Sequence, residues 1–286
     1  MKKAIAVYIK GGLGDAIICT SPILALREKF KDQKIHLFCK TDMHKQVYLR
    51  NPGIDRVWGA SWFTLTVLQL CIDLRLATLY KPDYYPPFYP PFISKTVAET
   101  ASELIGVLPG EDRAQIFLTE KEDKKAIRAL SAYKNPIAMN ITSRTTENQE
   151  WEFPKWEELV RQMPDYTFIQ LGSSDEPEVA GAVDWRGKTN FRDALAVVKH
   201  CRSFVGIPSS LSHATNAFDI PGVVLFGPAS PDVWGHANNI NLVKQLRCSP
   251  CIDQIFKSPC PYERACMKSI TVEEVRQALL TQLSRN

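Results

Sequence analysis

The chain has 286 residues, 45% of them apolar and 23% charged, with a formal net charge of +4; this is the make-up of one large or two ordinary globular domains and excludes a disordered or fibrous chain. The charge excess is too small to indicate nucleic acid and suits an anionic small molecule or a membrane periphery. No apolar run reaches the length of a membrane span, and the expectation is a cytoplasmic protein whose eight cysteines stay reduced unless they hold metal.

The N-terminal Met-Lys-Lys and the apolar run after it superficially resemble a signal peptide. Lys10 and a set of glycines break the run, with no small-residue cleavage site, so residues 4–9 are predicted as a strand buried on both faces. A helix follows, with Ile17, Ile18, Leu24, Leu26 and Phe30 as its apolar positions. Between them, Gly11, Gly12 and Gly14 do not fit G-x-G-x-x-G, and Asp15 stands where a pyrophosphate needs positive charge or bare amides. A dinucleotide site is therefore a poor reading.

Further strand-like runs lie at 35–39, 115–118, 136–141, 167–171, 204–207 and 223–226, with helical patterns such as 156–163 and 191–201 among them. The alternation predicts parallel sheets covered by helices. A charged, helix-like segment at 119–134 separates two sets of strands, which places domains at 1–130 and 131–286. Residues 80–95 interleave prolines with Tyr and Phe, which favours an extended loop. That loop is either a stiff connector or an acceptor-binding or membrane-facing element. A last amphipathic helix, 271–284, opens on Thr271 with Glu274 three residues on.

Four stretches could carry chemistry. In 204–235 a buried strand ends before Pro208, and Ser209 or Ser210 caps a helix containing Leu211 and His213. Such a helix N-terminus is apt for a diphosphate, with His213 in reach of a phosphate oxygen; the plainer alternative is a capped helix with a packing histidine. In 139–159 a strand runs into Thr142, Ser143, Arg144, Thr145 and Thr146, which suit phosphate oxygens or an ordinary polar loop. Trp151 and Trp156 beyond them read as packing residues. Asp175 and Glu176, after the strand at 167–171, could accept the two hydroxyls of a ribose or form a simple acidic turn. Finally, Cys248, Cys251, Cys260 and Cys266 are spaced C-x2-C-x8-C-x5-C. Four thiolates make a closed tetrahedral shell, so a structural zinc or iron is expected there. Cys19, Cys39, Cys71 and Cys201 sit in apolar surroundings and read as core.

In this order, the stretches resemble the glycosyltransferase family 9 enzymes, the ADP-heptose:lipopolysaccharide heptosyltransferases and their relatives. The matching residues are Gly12-Leu13-Gly14-Asp15 with Pro22, the late stretch SSLSHATNAFDIPGVVLFGP, and the cysteine cluster before the last helix. The resemblance implies an α/β chain of GT-B architecture: two Rossmann-like domains facing across a cleft, the first holding the acceptor and the second the nucleotide-sugar, ADP-linked by preference. It also implies inversion without a catalytic metal or other cofactor and a glycan or lipid-linked acceptor; the mild basicity and the proline-aromatic loop suit an acidic, membrane-associated acceptor met at the inner face of the membrane. On that basis Asp15 is the general base in a glycine loop open to the acceptor. Thr142, Ser143, Arg144, Glu176, Ser209, Ser210, Leu211 and His213 are then the donor's residues. Pro208 stands where the family usually has an acidic residue, and Gln149 or Glu150 where it has a lysine. A transferase-like binding protein without catalysis is the alternative those two departures raise.

Overall fold

The computed structural model describes residues 2–83, 95–108, 113–252 and 258–285. The chain divides into two α/β units, the second beginning at Thr119.

In the first unit, strands β1 (Ala4–Ile9), β2 (Ile35–Cys39), β3 (Arg56–Gly59) and β4 (Ala77–Tyr80) form a sheet of order β3-β2-β1-β4. Every pairing is parallel. Period-two alternation gives this sheet two unlike faces. Ile5, Val7, Ile9, Ile35, Leu37 and Cys39 are fully buried on one. On the other, Ala6, Tyr8, Phe38, Trp58 and Leu79 pack with Leu65, Leu68 and Ile72 of helix α4 (Trp62–Asp73). The outward side of α4 carries Phe63, Val67, Leu70 and Leu74, all exposed, and Trp62 at its start is 83% exposed.

The helix expected after β1 is two helices, α1 (Leu13–Ile18) and α2 (Thr20–Lys29). Pro22 has no N–H to donate to Ile18, so the helical ladder is interrupted and restarts. Residues 115–118 are not a strand; the Gln115 N–H donates to Thr20 Oγ1 (2.7 Å), which ties this segment to the start of α2. Helix α3 (Asp42–Tyr48) follows β2, and α5 (Val97–Leu104) packs on α2. Most of the proline-aromatic stretch at 80–95 lies outside the described residues.

The second unit opens with α6 (Glu120–Leu130), whose cap is complete in itself. Thr119 Oγ1 accepts from the Glu122 N–H, and the Glu122 carboxylate accepts from the Thr119 N–H. Placing the boundary after residue 130 would put α6 in the first domain. Instead α6 packs on α8 (Phe191–His200), where Arg192 grips Glu122, and Lys199 and His200 hold Asp123.

The second sheet holds β5 (Pro136–Asn140), β6 (Thr167–Gln170), β7 (Val183–Asp184), β8 (Ser203–Gly206), β9 (Gly222–Phe226) and β10 (Asn239–Val243). They are parallel, in the order β10-β9-β8-β5-β6-β7. Helix α7 (Phe153–Arg161) and the C-terminal helix Val272–Leu283 share one core with it. In that core Trp151 and Trp156 meet edge to face at 4.8 Å, as packing residues. The C-terminal helix has the Thr271–Glu274 capping box expected from the sequence. Among the described residues no helix is long and apolar enough to cross a membrane.

Candidate active site

In an open parallel sheet, ligands bind beyond the strand carboxyl ends, where the strand order reverses. The first sheet reverses between β1 and β4 and the second between β5 and β8. The glycine loop falls at the first reversal and the hydroxyl loop and serine-capped helix at the second, whereas Asp175 and Glu176 follow β6 and the clustered cysteines follow β10.

At the first, the loop after β1 runs through Gly11 and Gly12 into α1. Gly12 is the helix N-cap, and Asp15 Oδ2 accepts its N–H at 2.7 Å. A Cβ on Gly11 would lie 2.6 Å from that carboxylate oxygen, so only glycine lets Asp15 fold back here. Leu13 and Gly14 form the first turn.

Three buried side chains that were not picked out from the sequence fix this loop. The Asp83 carboxylate, from just beyond β4 and 7% exposed, accepts the backbone N–H groups of Lys10 and Gly11. His44 Nε2 lies 3.0 Å from the Gly11 carbonyl and Nδ1 lies 2.7 Å from Thr41 Oγ1. A carbonyl only accepts, so His44 Nε2 carries a proton and donates it to Gly11. The Tyr48 hydroxyl donates to the Ala16 carbonyl (2.7 Å). Burial, and after it the carboxylates of Asp83 and Asp15, push the Cys19 thiol far up, so Cys19 is no nucleophile. The only sequence signals for these anchors were a Pro-Asp pair in a turn and a histidine three residues after a capping threonine.

At the second reversal, β8 delivers helix α9 (Ser210–Phe218) and β5 delivers the hydroxyl loop. Gly206, at the end of β8, has no room for a side chain: a Cβ would stand 2.4 Å from the Asn140 carbonyl oxygen of β5. The two strand ends are thereby drawn together. Ser209 is the N-cap of α9; its Oγ accepts from Ser212 N–H, and Ser212 Oγ accepts from Ser209 N–H. This reciprocal cap leaves the first-turn amides of Ser210 and Leu211 outside the helical ladder, as donors for an anion. His213 is 4% exposed, and its Nδ1 contacts His236 Nε2 at 2.8 Å. Burial, then the His236 ring, hold His213 well below its usual pKa; burial brings His236 to about 4.

The hydroxyl loop is largely occupied with its own turn. Ser143 Oγ accepts from Thr145 and Thr146 N–H, and Ser143 N–H donates to Glu150 Oε1 (3.0 Å). Burial raises the Glu150 carboxyl above its usual value, against the pull of that bond. Arg144 pairs with Asp175 at 2.9 Å on the surface, so these two residues do not line an enclosed pocket. Glu176 turns inward over Gly172: Oε1 accepts from Ser173 N–H (2.9 Å), and Oε2 is buried with no hydrogen-bond partner among the described residues. Of the acidic pair expected at a ribose, Glu176 alone is held inside the unit.

All four clustered cysteines are free thiols, and part of the segment joining them lies outside the described residues. Burial pushes Cys251 up to about 11, with further upward push from Cys266, Cys248 and Cys260; Cys266 is also raised, by burial first. Cys266 is buried, and Cys248, Cys251 and Cys260 are half-buried. Among the described residues no three metal-ligating side chains gather into a shell. Of the other cysteines, Cys19, Cys39 and Cys201 are buried and Cys71 is half-buried.

Residues 75–261, more than half of the chain, match the model of glycosyltransferase family 9 (heptosyltransferase). The chain is 28% identical over 141 residues to lipopolysaccharide heptosyltransferase 1 of Pseudomonas aeruginosa, a match spanning 45% of this chain and 38% of that relative. Among solved structures it is similar to a glycosyl transferase family 9 protein of Veillonella parvula, with a TM-score of 0.75 at 17% identity, covering 99% of this chain and 98% of that one. It is also similar to the iron-containing dodecameric glycosyltransferase TibC of enterotoxigenic E. coli, with a TM-score of 0.75 at 17% identity, covering 99% of this chain and 76% of that one. These likenesses establish a GT-B fold of two Rossmann-like units.

Proposed function

The chain belongs to glycosyltransferase family 9, and on that premise we propose that it moves a heptose or related sugar from a nucleoside diphosphate, ADP by preference, to a lipopolysaccharide or other cell-surface glycan. One observation carries the reading: β5 and β8 bring the hydroxyl loop and the open amides of α9 to the same reversal of the second sheet. The Ser210 and Leu211 amides, with Thr142 and Ser143, take the diphosphate. Glu176 Oε2 takes a ribose hydroxyl, and Arg144 acts from the rim. Fixed dipoles then meet the leaving-group charge, and the chemistry needs no divalent cation.

In the transfer, the acceptor oxygen bonds to the anomeric carbon and the bond to the diphosphate breaks with its electron pair. The acceptor proton passes to Asp15, which lets go of the Gly12 N–H, and the configuration inverts. A thermal-shift panel of ADP-, GDP- and UDP-sugars tests the donor, since a ligand of the folded state raises the Tm by mass action. The anomeric configuration of the product, read by NMR, tests inversion. No shift with any nucleotide-sugar overturns the donor assignment.

A second reading has specific support: Asp15 already caps its own helix, and Pro208 and Gln149 or Glu150 replace the family's usual donor-side residues. In that case the protein binds a nucleotide-sugar without transferring it. A thermal shift without product, across acceptors, decides for it.

The cysteine cluster is assigned a structural zinc or iron. Replacing Cys248 and Cys251 by serine is expected to release one metal per chain and lower the Tm more than kcat. Metal-free protein after reducing purification rejects the assignment. A cytoplasmic location with peripheral membrane contact completes the proposal, and co-sedimentation with anionic phospholipid vesicles tests the contact.

A further inference from the structure

His213 and His236 are joined by a single hydrogen bond. The rings meet at 89°, with centroids 5.0 Å apart and Nδ1 of His213 2.8 Å from Nε2 of His236. One nitrogen must bring a proton and the other a lone pair. Both rings are nine-tenths buried or more, at 4% and 7% exposed, in surroundings that keep them neutral.

Two arrangements satisfy the contact. If His213 Nδ1–H donates, neutral His236 must carry its proton on Nδ1. That atom is sealed from solvent and has no partner among the described residues, and buried N–H groups without an acceptor are rare and costly. If instead His236 Nε2–H donates, His236 Nδ1 is a bare nitrogen and His213 carries its proton on Nε2. Both imidazoles are then in the tautomer that free histidine prefers. His213 Nε2 makes no hydrogen bond among the described residues and, unlike His236 Nδ1, is not sealed off.

We propose that His236 is a positioning residue which, by donating Nε2–H to His213 Nδ1, locks His213 as a neutral Nε2–H donor for a phosphate oxygen at the start of α9. The phosphate rests on the donor assignment above; the tautomer does not. A neutral donor holds a diphosphate by direction, without the long-range attraction of an imidazolium. His236 comes from the loop between the short helix Pro231–Trp234 and β10. The start of α9 is thus joined to the loop that leads into β10 by one proton.

Two measurements on the full chain test this. Long-range 1H–15N spectra of the ligand-free protein read the tautomer directly, and titration calorimetry with ADP reads its use. In the wild type, His213 is expected to be protonated at Nε2 and bare at Nδ1. His236→Phe should release a tautomer mixture and weaken ADP about tenfold, the size of one lost hydrogen bond. His236→Gln, which restores an N–H at the Nε2 position, should recover affinity to within about threefold of wild type. A wild-type His213 protonated at Nδ1 overturns the inference. So does equal weakening by the two variants, which would make His236 a packing residue only, or no weakening by His236→Phe. If the wild type shows the expected tautomer and ADP does not bind, the donor assignment fails and the tautomer lock is upheld.

Discussion

The two units are built from the same alternating pieces, yet they finish their surfaces differently. Among the described residues, ten large apolar side chains are exposed in the first unit, Met43, Leu49, Trp62, Phe63, Val67, Leu70, Leu74, Leu76, Leu104 and Leu108, against Ile127 and Tyr262 in the second. The formal charge is divided just as unevenly: residues 1–118 carry 15 Lys and Arg against 11 Asp and Glu, and residues 119–286 carry 20 of each, so the whole +4 lies in the first part. The second unit is a closed body whose helices use up its apolar surface. In the first, α4 covers one face of the sheet and then presents an apolar face of its own. A helix apolar on both sides is normally buried, so the unfinished apolar surface among the described residues lies mainly in the first unit.

The largest effect that would sharpen this contrast is chemical. Asp15→Ala is expected to lower kcat by about 10²–10⁴-fold, the usual worth of a general base, while the Kd for the nucleotide stays within about twofold. Equal loss of both would reject the proposed base.

Stability comes next. Trp156 is 1% exposed and wedged against Trp151, so Trp156→Ala should cost about 3–5 kcal/mol. Trp62→Ala in α4 should change stability by less than about 0.5 kcal/mol. Urea melts of the two variants compare the units directly, and similar costs would abolish the contrast.

Acid should act on the α6–α8 contact. The Arg192 guanidinium, helped by the Thr119 cap, holds Glu122 at about 2 in the folded protein against an ordinary value of 4.5. A carboxyl with a depressed folded-state pKa contributes stability that is full above its unfolded value and is lost as pH falls from there toward 2. Up to about 3 kcal/mol should disappear over that range, and Glu122→Gln should flatten this part of the curve. Asp83→Ala leaves the Lys10 and Gly11 amides unpaired, at about 1–3 kcal/mol; its kcat should fall more than its nucleotide affinity.

What the sequence revealed follows from burial. The six strands read correctly, β1, β2, β5, β6, β8 and β9, are the interior strands of their sheets; the four missed, β3, β4, β7 and β10, are the edges. Interior strands are covered on both faces and flanked on both sides, so they show as continuous apolar runs. Edge strands such as Arg56–Gly59 and Asn239–Val243 mix polar residues into short segments and lose that signature. The site divides in a similar way. The glycine loop of the first unit and the serine cap of the second are local patterns and were visible. Asp83, His44 and His236 act across 72, 33 and 23 residues of chain, and nothing local marks a side chain whose partner arrives through the fold.

The self-contained cap at Thr119 bears on how such chains change over evolutionary time. A coding sequence joined just upstream of Thr119 would carry the hydroxyl and the carboxylate that start α6, so the second unit could be inherited as a cassette without re-engineering its first turn. New first units could then be tried by recombination at a single seam, each fusion keeping the start of the second unit intact.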